Sequence, residues 1–278
     1  MATPAQTPDA GAAGAPRPAV SIVLPTWQRG ALVGRAIRSV LAQTFADFEL
    51  LVVDDGSTDT TAAEVARCAD PRVRYLRRAA NGGAAAARNV GIGASVAAFL
   101  AFQDSDDEWL PDKLERHMRA FATCGPEVGI VYSDMQRVRR DGSAEYHRSP
   151  TIASGLLIDP ATRFYQVCGL GIQSTVIRRA CLHAVGAFNE DFPALEDLEL
   201  FIRLSRRYRF HHLAAPLVLY HETDGLSRNL PAKVVARTLL LQLYQQDLAR
   251  EDAGFVDRER EAVASEAARA RQVVREAP

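Results

Sequence analysis

The sequence predicts an α/β fold, with a mostly parallel central sheet, helices on both of its faces and a helical extension at the C-terminus. Three observations carry this. Four short apolar runs recur within about 85 residues, and helix-periodic segments fill the gaps between them. The runs are continuously apolar rather than alternating, as strands covered on both faces are.

Val20, Ile22, Val23 and Leu24 form the first run, closed by Pro25, which reads as a buried strand. Leu32, Val33, Ala36, Ile37, Val40 and Leu41 then recur at i, i+1, i+4, i+5, one face of a helix. Phe48 to Val53 is the second run, stopping at Asp54-Asp55-Gly56, and a helix follows with Thr61 and Glu64 spaced as a capping box. Val73 to Leu76 predicts a third strand, Gly83 to Ser95 an Ala-rich helix, and Val96 to Phe102 a fourth strand. Past that point the pattern loosens: a helix over Pro111 to Cys124, a strand over Val128 to Tyr132, and a polar stretch from Met135 to His147 that turns at Asp141-Gly142. A second compact unit over Ile172 to Tyr220 holds a strand (Ser174 to Ile177), a helix (Glu196 to Arg207) and short strands near Phe210 and Leu217. From Ala232 onward the chain is rich in Ala, Glu and Arg, with Leu239, Leu240, Leu243 and Tyr244 clustered, and reads as helical. The first 18 residues, dominated by Ala, Pro, Gly and Thr, have little to bury and are expected to be disordered. The organisation expected is therefore that segment, a domain over 19–230 and a helical extension over 231–278.

Composition excludes several classes. Lys and Arg number 33 against 34 Asp and Glu, so no global basic field draws the chain to nucleic acid or anionic lipid. The longest apolar stretch, Ala94 to Phe102, is far short of the ~20 residues a spanning helix needs. The start of the chain lacks the basic and apolar regions of a signal peptide. The cysteines at 68, 124, 168 and 181 form no CxxC pair and have no histidines at zinc-finger spacing, so they read as thiols of a reducing, cytoplasmic compartment.

Ligands of open parallel sheets sit beyond the carboxyl ends of the strands. The residues there are Pro25-Thr26-Trp27-Gln28-Arg29, Asp54-Asp55-Gly56-Ser57, Asn81-Gly82-Gly83 and Asp104-Ser105-Asp106-Asp107. A lone Asp after a strand is ordinarily a helix cap. Five at two strand ends repel one another and are costly to desolvate without a cation, and hard oxygen donors suit Mg²⁺ or Mn²⁺. The rival ligands of such sheets lack their motifs. PTWQRG replaces GxGxxG after the first strand, Gly91-Ile92-Gly93 and Gly169-Leu170-Gly171 lack a third glycine, and neither GxxxxGK[ST] nor GxSxG occurs. His221-Glu222 has no second histidine at zincin spacing.

Five segments, in order, resemble one family: VSIVLPTWQRG (20–30), SVLAQTFADFELLVVDDGSTDTT (39–61), NGGAAAARNVGI (81–92), FQDSDDEWLPDKL (102–114) and IQSTVIRRACLHAVGAFNEDFPALEDLELFIRL (172–204), followed by GLSRN (225–229). Through them the chain resembles the family-two inverting glycosyltransferases, whose nucleotide-sugar-binding fold is of the GT-A type. The resemblance implies nucleotide contacts from Pro25, Thr26, Trp27, Arg29, Asp54, Asp55, Arg88, Asp104 and Ser105. It also implies a divalent metal, Mn²⁺ or Mg²⁺, on Asp106 with Asp104 assisting, and Asp197 as catalytic base. His221, after the last strand, is a candidate third metal ligand or a local structural histidine. Where the family shows Tyr-Asn, this chain has Trp27-Gln28, and Leu198 or Phe201 stands where it often has an aromatic.

The implied donor is a nucleoside-diphosphate sugar, with a UDP-sugar foremost, and the implied acceptor is a glycan, a lipid-linked molecule or a small molecule. A general base facing the leaving group suits inversion, since the acceptor hydroxyl must lose its proton. At the usual aspartate pKa, Asp197 is expected to be ionised at pH 7; the other reading of Glu196-Asp197 is an acidic start to its helix. Arg88 reads as a donor-site or surface residue, Trp109 as a buried anchor or sugar platform, and His211-His212 as a surface strand. The Leu239 to Tyr244 cluster either docks on the parent domain or makes peripheral membrane contact. A nucleotidyltransferase making nucleotide sugars is a rival reading that lacks its glycine loop after the first strand. A non-catalytic nucleotide- or glycan-binding module is a second rival, against which the retained Asp106 and Asp197 argue.

Overall fold

The computed structural model describes residues 17–223 and 229–276. The expected disorder of the first segment therefore lies, up to residue 16, outside the described residues, as do residues 225–228 of GLSRN. One nine-stranded sheet organises the chain. Its first half is parallel: β1 (Val20–Thr26) lies between β2 (Phe48–Asp54) and β4 (Phe99–Phe102), and β3 (Val73–Arg77) flanks β2. The connections are α1 (Gly30–Leu41), α2 (Thr61–Arg67) and α3 (Gly83–Ala94). In register, Val23 sits between Leu51 and Phe102.

Beyond β4 the sheet becomes mixed, a departure from the mostly parallel expectation. β8 (Thr175–Arg178) pairs antiparallel with both β4 and β6 (Val128–Val138). β7 (Ala144–His147) returns on β6 as a hairpin through Asp141-Gly142, where Gly142 takes φ 82°, a turn conformation that glycine adopts at little cost. β9 (Arg209–His221) runs parallel to β6 and carries the short β5 (Glu108–Trp109) on its far side. The two short strands expected near Phe210 and Leu217 are thus one strand. Its register shifts near Asp134, which pairs with Pro216; proline has no N–H for the ladder and is accommodated at such an irregularity.

Two apolar cores lie on opposite faces of the sheet, which explains the uninterrupted runs. Ile22, Leu24, Leu50 and Val52 face one core, closed by α1 and by α4 (Lys113–Thr123) through Ile37, Val40, Leu114 and Phe121. Val23, Leu51 and Phe102 face the other, closed by α3 and by α6 (Glu196–Ser205), α7 (Leu230–Glu251) and α8 (Phe255–Glu276). α5 (Arg179–Val185) follows β8 directly. α3 lies so near β1 that a Cβ at Gly91 would meet a Val23 methyl at 2.3 Å; its alanines and this glycine set that spacing.

Several local expectations change. The Thr61–Glu64 capping box does not form: Thr60 is the N-cap residue, and Asp59 accepts both the amide and the hydroxyl of Thr61. Trp109 is 3% exposed, and its Nε1–H donates to the Gln173 carbonyl at 3.0 Å, so it anchors its loop and offers no platform to a sugar. His212 is half-buried, 2.7 Å from Asp134 and stacked on Tyr132, rather than on an open surface. Leu240 and Tyr244 are buried in the second core, Leu239 is partly buried against it, and Leu243 alone of the cluster is exposed. The cluster therefore docks on the parent domain. Among the described residues no helix is long and apolar enough to cross a membrane.

Candidate active site

A cleft of about 790 Å³ opens at the carboxyl ends of the parallel strands, where the apolar runs stop and polar loops begin. Pro25, Thr26, Trp27, Arg29 and Asp55 form one end of it. Trp27 is half exposed, whereas Thr26 is 3% exposed and its hydroxyl has no partner among the described residues. An orphaned buried hydroxyl in a cleft is a polar group awaiting one. Gln28 takes φ 53°, and its side-chain carbonyl accepts the amides of Thr58 and Asp59. The longer amide thereby ties the loop after β2 to the loop after β1.

The two aspartates after β2 part company. Asp54 is fully buried, accepts the Ser57 amide and the Tyr75 hydroxyl, and does not line the cleft. It holds the turn rather than a ligand, because a residue ending a strand faces the side opposite its successor. Asp55 does line the cleft and is gripped from behind by Arg78 and by the amides of Gly82 and Gly83.

Past β4, Asp104, Ser105 and Asp106 reach the cleft and Asp107 turns under it. Asp106 accepts the Thr223 hydroxyl at 2.5 Å and lies 3.8 Å from the Arg29 guanidinium. Asp107 accepts the Gln173 amide at 3.0 Å and the His221 backbone amide at 2.9 Å. Burial raises the pKa of Asp104 and holds Asp107 well above the carboxylate range, with the neighbouring aspartates adding to both. A site that resists its own negative charge in this way suits a cation. Among the described residues, however, no three His, Cys, Asp or Glu side chains are grouped to hold a metal ion. Asp104 and Asp106 supply hard oxygen donors of the kind a divalent ion takes when further oxygens complete its shell. His221 does not join them: Tyr220 and Glu222 line the cleft, while the His221 ring takes the other side of the strand, 2.8 Å from Glu108.

Arg88 is buried, not a surface residue of α3. Its guanidinium donates to Asp104 at 2.9 Å and to Glu196, 108 residues further along the chain, at 2.5 Å, and so joins the end of β4 to the start of α6. Leu195, before α6, takes the left-handed φ of 58°, a conformation that costs about 1–3 kcal/mol for a non-glycine residue. It marks the corner at which the chain turns Glu196 and Asp197 into the cleft. Asp197 accepts the Leu198 amide at 2.8 Å. Its pKa is pushed up to about 7, chiefly by burial and then by Glu196, with Arg88 pulling the other way. The expectation of an ordinary aspartate is corrected here, because burial is set by segments remote in sequence. Glu196 is the residue that sequence reasoning passed over as a functional partner; its one signal was its place beside Asp197.

The profile of glycosyl transferase family 2 matches residues 21–179, more than half of the chain. The chain belongs to glycosyl transferase family 2. Among curated relatives, the UDP-Glc:alpha-D-GlcNAc-diphosphoundecaprenol beta-1,3-glucosyltransferase WfgD of Escherichia coli is 30% identical over 66% of this chain and 69% of its own length. The succinoglycan biosynthesis protein ExoO of Rhizobium meliloti is 34% identical over 59% of this chain and 49% of its own. An uncharacterized protein of Sinorhizobium fredii is 32% identical over 84% of this chain, which spans 26% of that relative. The chain thus spans from about a quarter to about two thirds of these relatives. Among solved structures, residues 1–349 of S. aureus TarS superpose with a TM-score of 0.60 at 18% identity, covering 80% of this chain and 65% of that one. The mannosyltransferase PcManGT of Pyrobaculum calidifontis, in complex with GDP-Man and Mn²⁺, gives 0.60 at 18%, covering 94% and 76%. The family member described here has the GT-A type of α/β fold shared by these structures.

Proposed function

We propose that the chain transfers a sugar from a nucleoside-diphosphate sugar, with UDP-sugars as the donor class, to an acceptor hydroxyl with inversion at the anomeric carbon. The observation that carries this is that Asp104, Asp197 and the buried Arg88, which bonds Asp104 and the neighbour of Asp197, meet in one cleft. The donor-side residues are Pro25, Thr26, Trp27, Arg29, Asp55, Asp104 and Ser105, all on that cleft; Arg88 acts behind them through Asp104. Asp55 and the unpartnered Thr26 hydroxyl offer hydrogen bonds to the nucleoside, and Trp27 offers it an aromatic face. Asp106, with Asp104, would hold Mn²⁺ or Mg²⁺, which would act as a Lewis acid on the diphosphate. Asp197 in its carboxylate form accepts the proton of the acceptor hydroxyl as that oxygen bonds to the anomeric carbon. The bond from that carbon to the diphosphate oxygen breaks on the opposite face. The lipid-linked acceptor of WfgD and the part of ExoO in succinoglycan biosynthesis support a glycan or lipid-linked acceptor in glycan biosynthesis. Four free thiols support a cytoplasmic site of action.

The test is incubation with panels of UDP-sugars, GDP-mannose and acceptors, with Mn²⁺ and after metal removal by EDTA. Acceptor-dependent release of nucleoside diphosphate that EDTA abolishes and Asp106→Asn loses is expected. Exchange with pyrophosphate would instead indicate a nucleotidyltransferase, and unchanged turnover after EDTA would remove the metal from the mechanism.

A further inference from the structure

Glu196 takes no part in the donor or metal contacts and Arg88 acts there only through Asp104, yet both are among the most buried charged side chains in the cleft. Arg88 is 5% and Glu196 7% exposed. Burying an ion pair rarely adds stability over an apolar substitute, so the pair calls for another role. The guanidinium joins two carboxylates that do not share an element: Asp104 on the donor side, and Glu196 next to Asp197 on the acceptor side. Its Nε has no hydrogen-bond partner among the described residues, and the fork spends its terminal nitrogens on those two groups. The ring of Phe188, 5.3 Å from the guanidinium carbon, packs against the same group. The left-handed Leu195 then fixes the direction in which the Glu196-Asp197 pair enters the cleft.

We propose that Arg88 and Glu196 are positioning residues that set the proton-accepting capacity of Asp197, through one guanidinium that also grips the donor-side Asp104. This rests on the reading of Asp197 as the base. The charged groups that face Asp197 are Glu196 on its own helix, Arg88 from α3, Asp104 from the end of β4 and the Cys168 thiol from the loop before β8. His147 and Lys233 line the same cleft. Of these, Glu196 adds negative charge, which favours the protonated carboxyl, and Arg88 adds positive charge, which favours the carboxylate.

The experiment is the pH dependence of kcat/KM, whose acid limb reports the free enzyme's base. It is measured for the wild type, Glu196→Gln, Arg88→Met, Arg88→Lys, the Arg88→Met/Glu196→Gln double variant and Asp197→Asn, with melting temperature alongside. Glu196→Gln is expected to move the acid limb to lower pH and Arg88→Met to higher pH, each by on the order of one unit. The double variant should return near the wild type, and Arg88→Lys, which keeps the charge, should move the limb least. A purely structural pair would lower the melting temperature and leave the limb in place; that result, with Asp197→Asn inactive, overturns the proposal and leaves the base standing. An active Asp197→Asn removes the base, and the proposal with it. Should Arg88→Met fail to fold, Glu196→Gln and Arg88→Lys still decide, because the first changes charge alone and the second keeps it.

Discussion

At the scale of single residues, the charge state of Asp197 is the feature with the most consequence. An aspartate whose folded pKa is raised from 3.8 to about 7 binds its proton more tightly in the folded chain than in the unfolded one. Its contribution to stability is therefore complete at low pH and is lost as pH rises from near 4 to about 7. Asp197→Asn removes that loss. We expect the melting temperature to gain over the wild type, with the gain growing across this window and level above it, while turnover falls by about 10²–10⁴. Thermal melts and rates at pH 5 and pH 8 check both, and an active variant of unchanged stability would mean that Asp197 is neither buried charge nor base. Lys113 makes a similar case outside the cleft. It is fully buried, its Nζ lies 4.0 Å from the centre of the Trp109 ring, and it has no hydrogen-bond partner. Burial holds its pKa well below 10.5, so stability falls as pH drops from that value toward the folded one. Lys113→Met should raise the melting temperature by a few degrees at pH 7, at about 2–4 °C per kcal/mol for a chain of this size class. A lower melting temperature would show that the amine's contact with Trp109 is stabilising. The identities of these groups were legible in the sequence, since DSDD and Glu196-Asp197 stand out. Their ionisation was not, because it depends on which remote segments exclude water.

At the scale of elements, α7 illustrates what periodicity can and cannot decide. The cluster at 239–244 marks a helix, but a stripe of leucines reads alike whether it meets protein or lipid. The structure separates its members. Leu240 and Leu248 are fully buried, the Tyr244 hydroxyl donates to Glu199 at 2.8 Å, and Leu243 is 55% exposed. Leu240→Ala should cost about 2–5 kcal/mol, and Leu243→Ala should fall within about 0.5 kcal/mol of the wild type. Denaturant titration of the two variants checks this, and equal losses would place α7 differently. Tyr244 also ties α7 to the end of α5 through α6, since Glu199 pairs with Arg203, whose guanidinium donates to the carbonyls of Val185, Gly186 and Ala187. For β9 the limit was different: Pro216 interrupted the apolar run, and only its pairing with Asp134 shows that the strand continues through it.

At the scale of the whole molecule, the two cores share one sheet, with β1 and β2 contributing alternate residues to each. Losing either core would strip one face of the same strands, so unfolding is expected to be a single transition. Far-UV circular dichroism and the fluorescence of the buried Trp109 should give coincident urea curves; separate midpoints would show that the faces come apart independently. The parallel half was readable from local runs because a crossover helix links each of its strands to the next. The mixed half was not, because β8 separates β4 from β6 while being made after both, and such an insertion leaves no local trace. Chain order has one more consequence. The core behind the cleft joins Val23 and Phe102 to Leu240, Tyr244 and Phe255. On the ribosome, the strands that carry the cleft's aspartates emerge well before the helices that close the face behind them. A nascent chain stopped before α7 is expected to expose a greasy sheet face, so helices made after the strands decide whether those strands stay soluble.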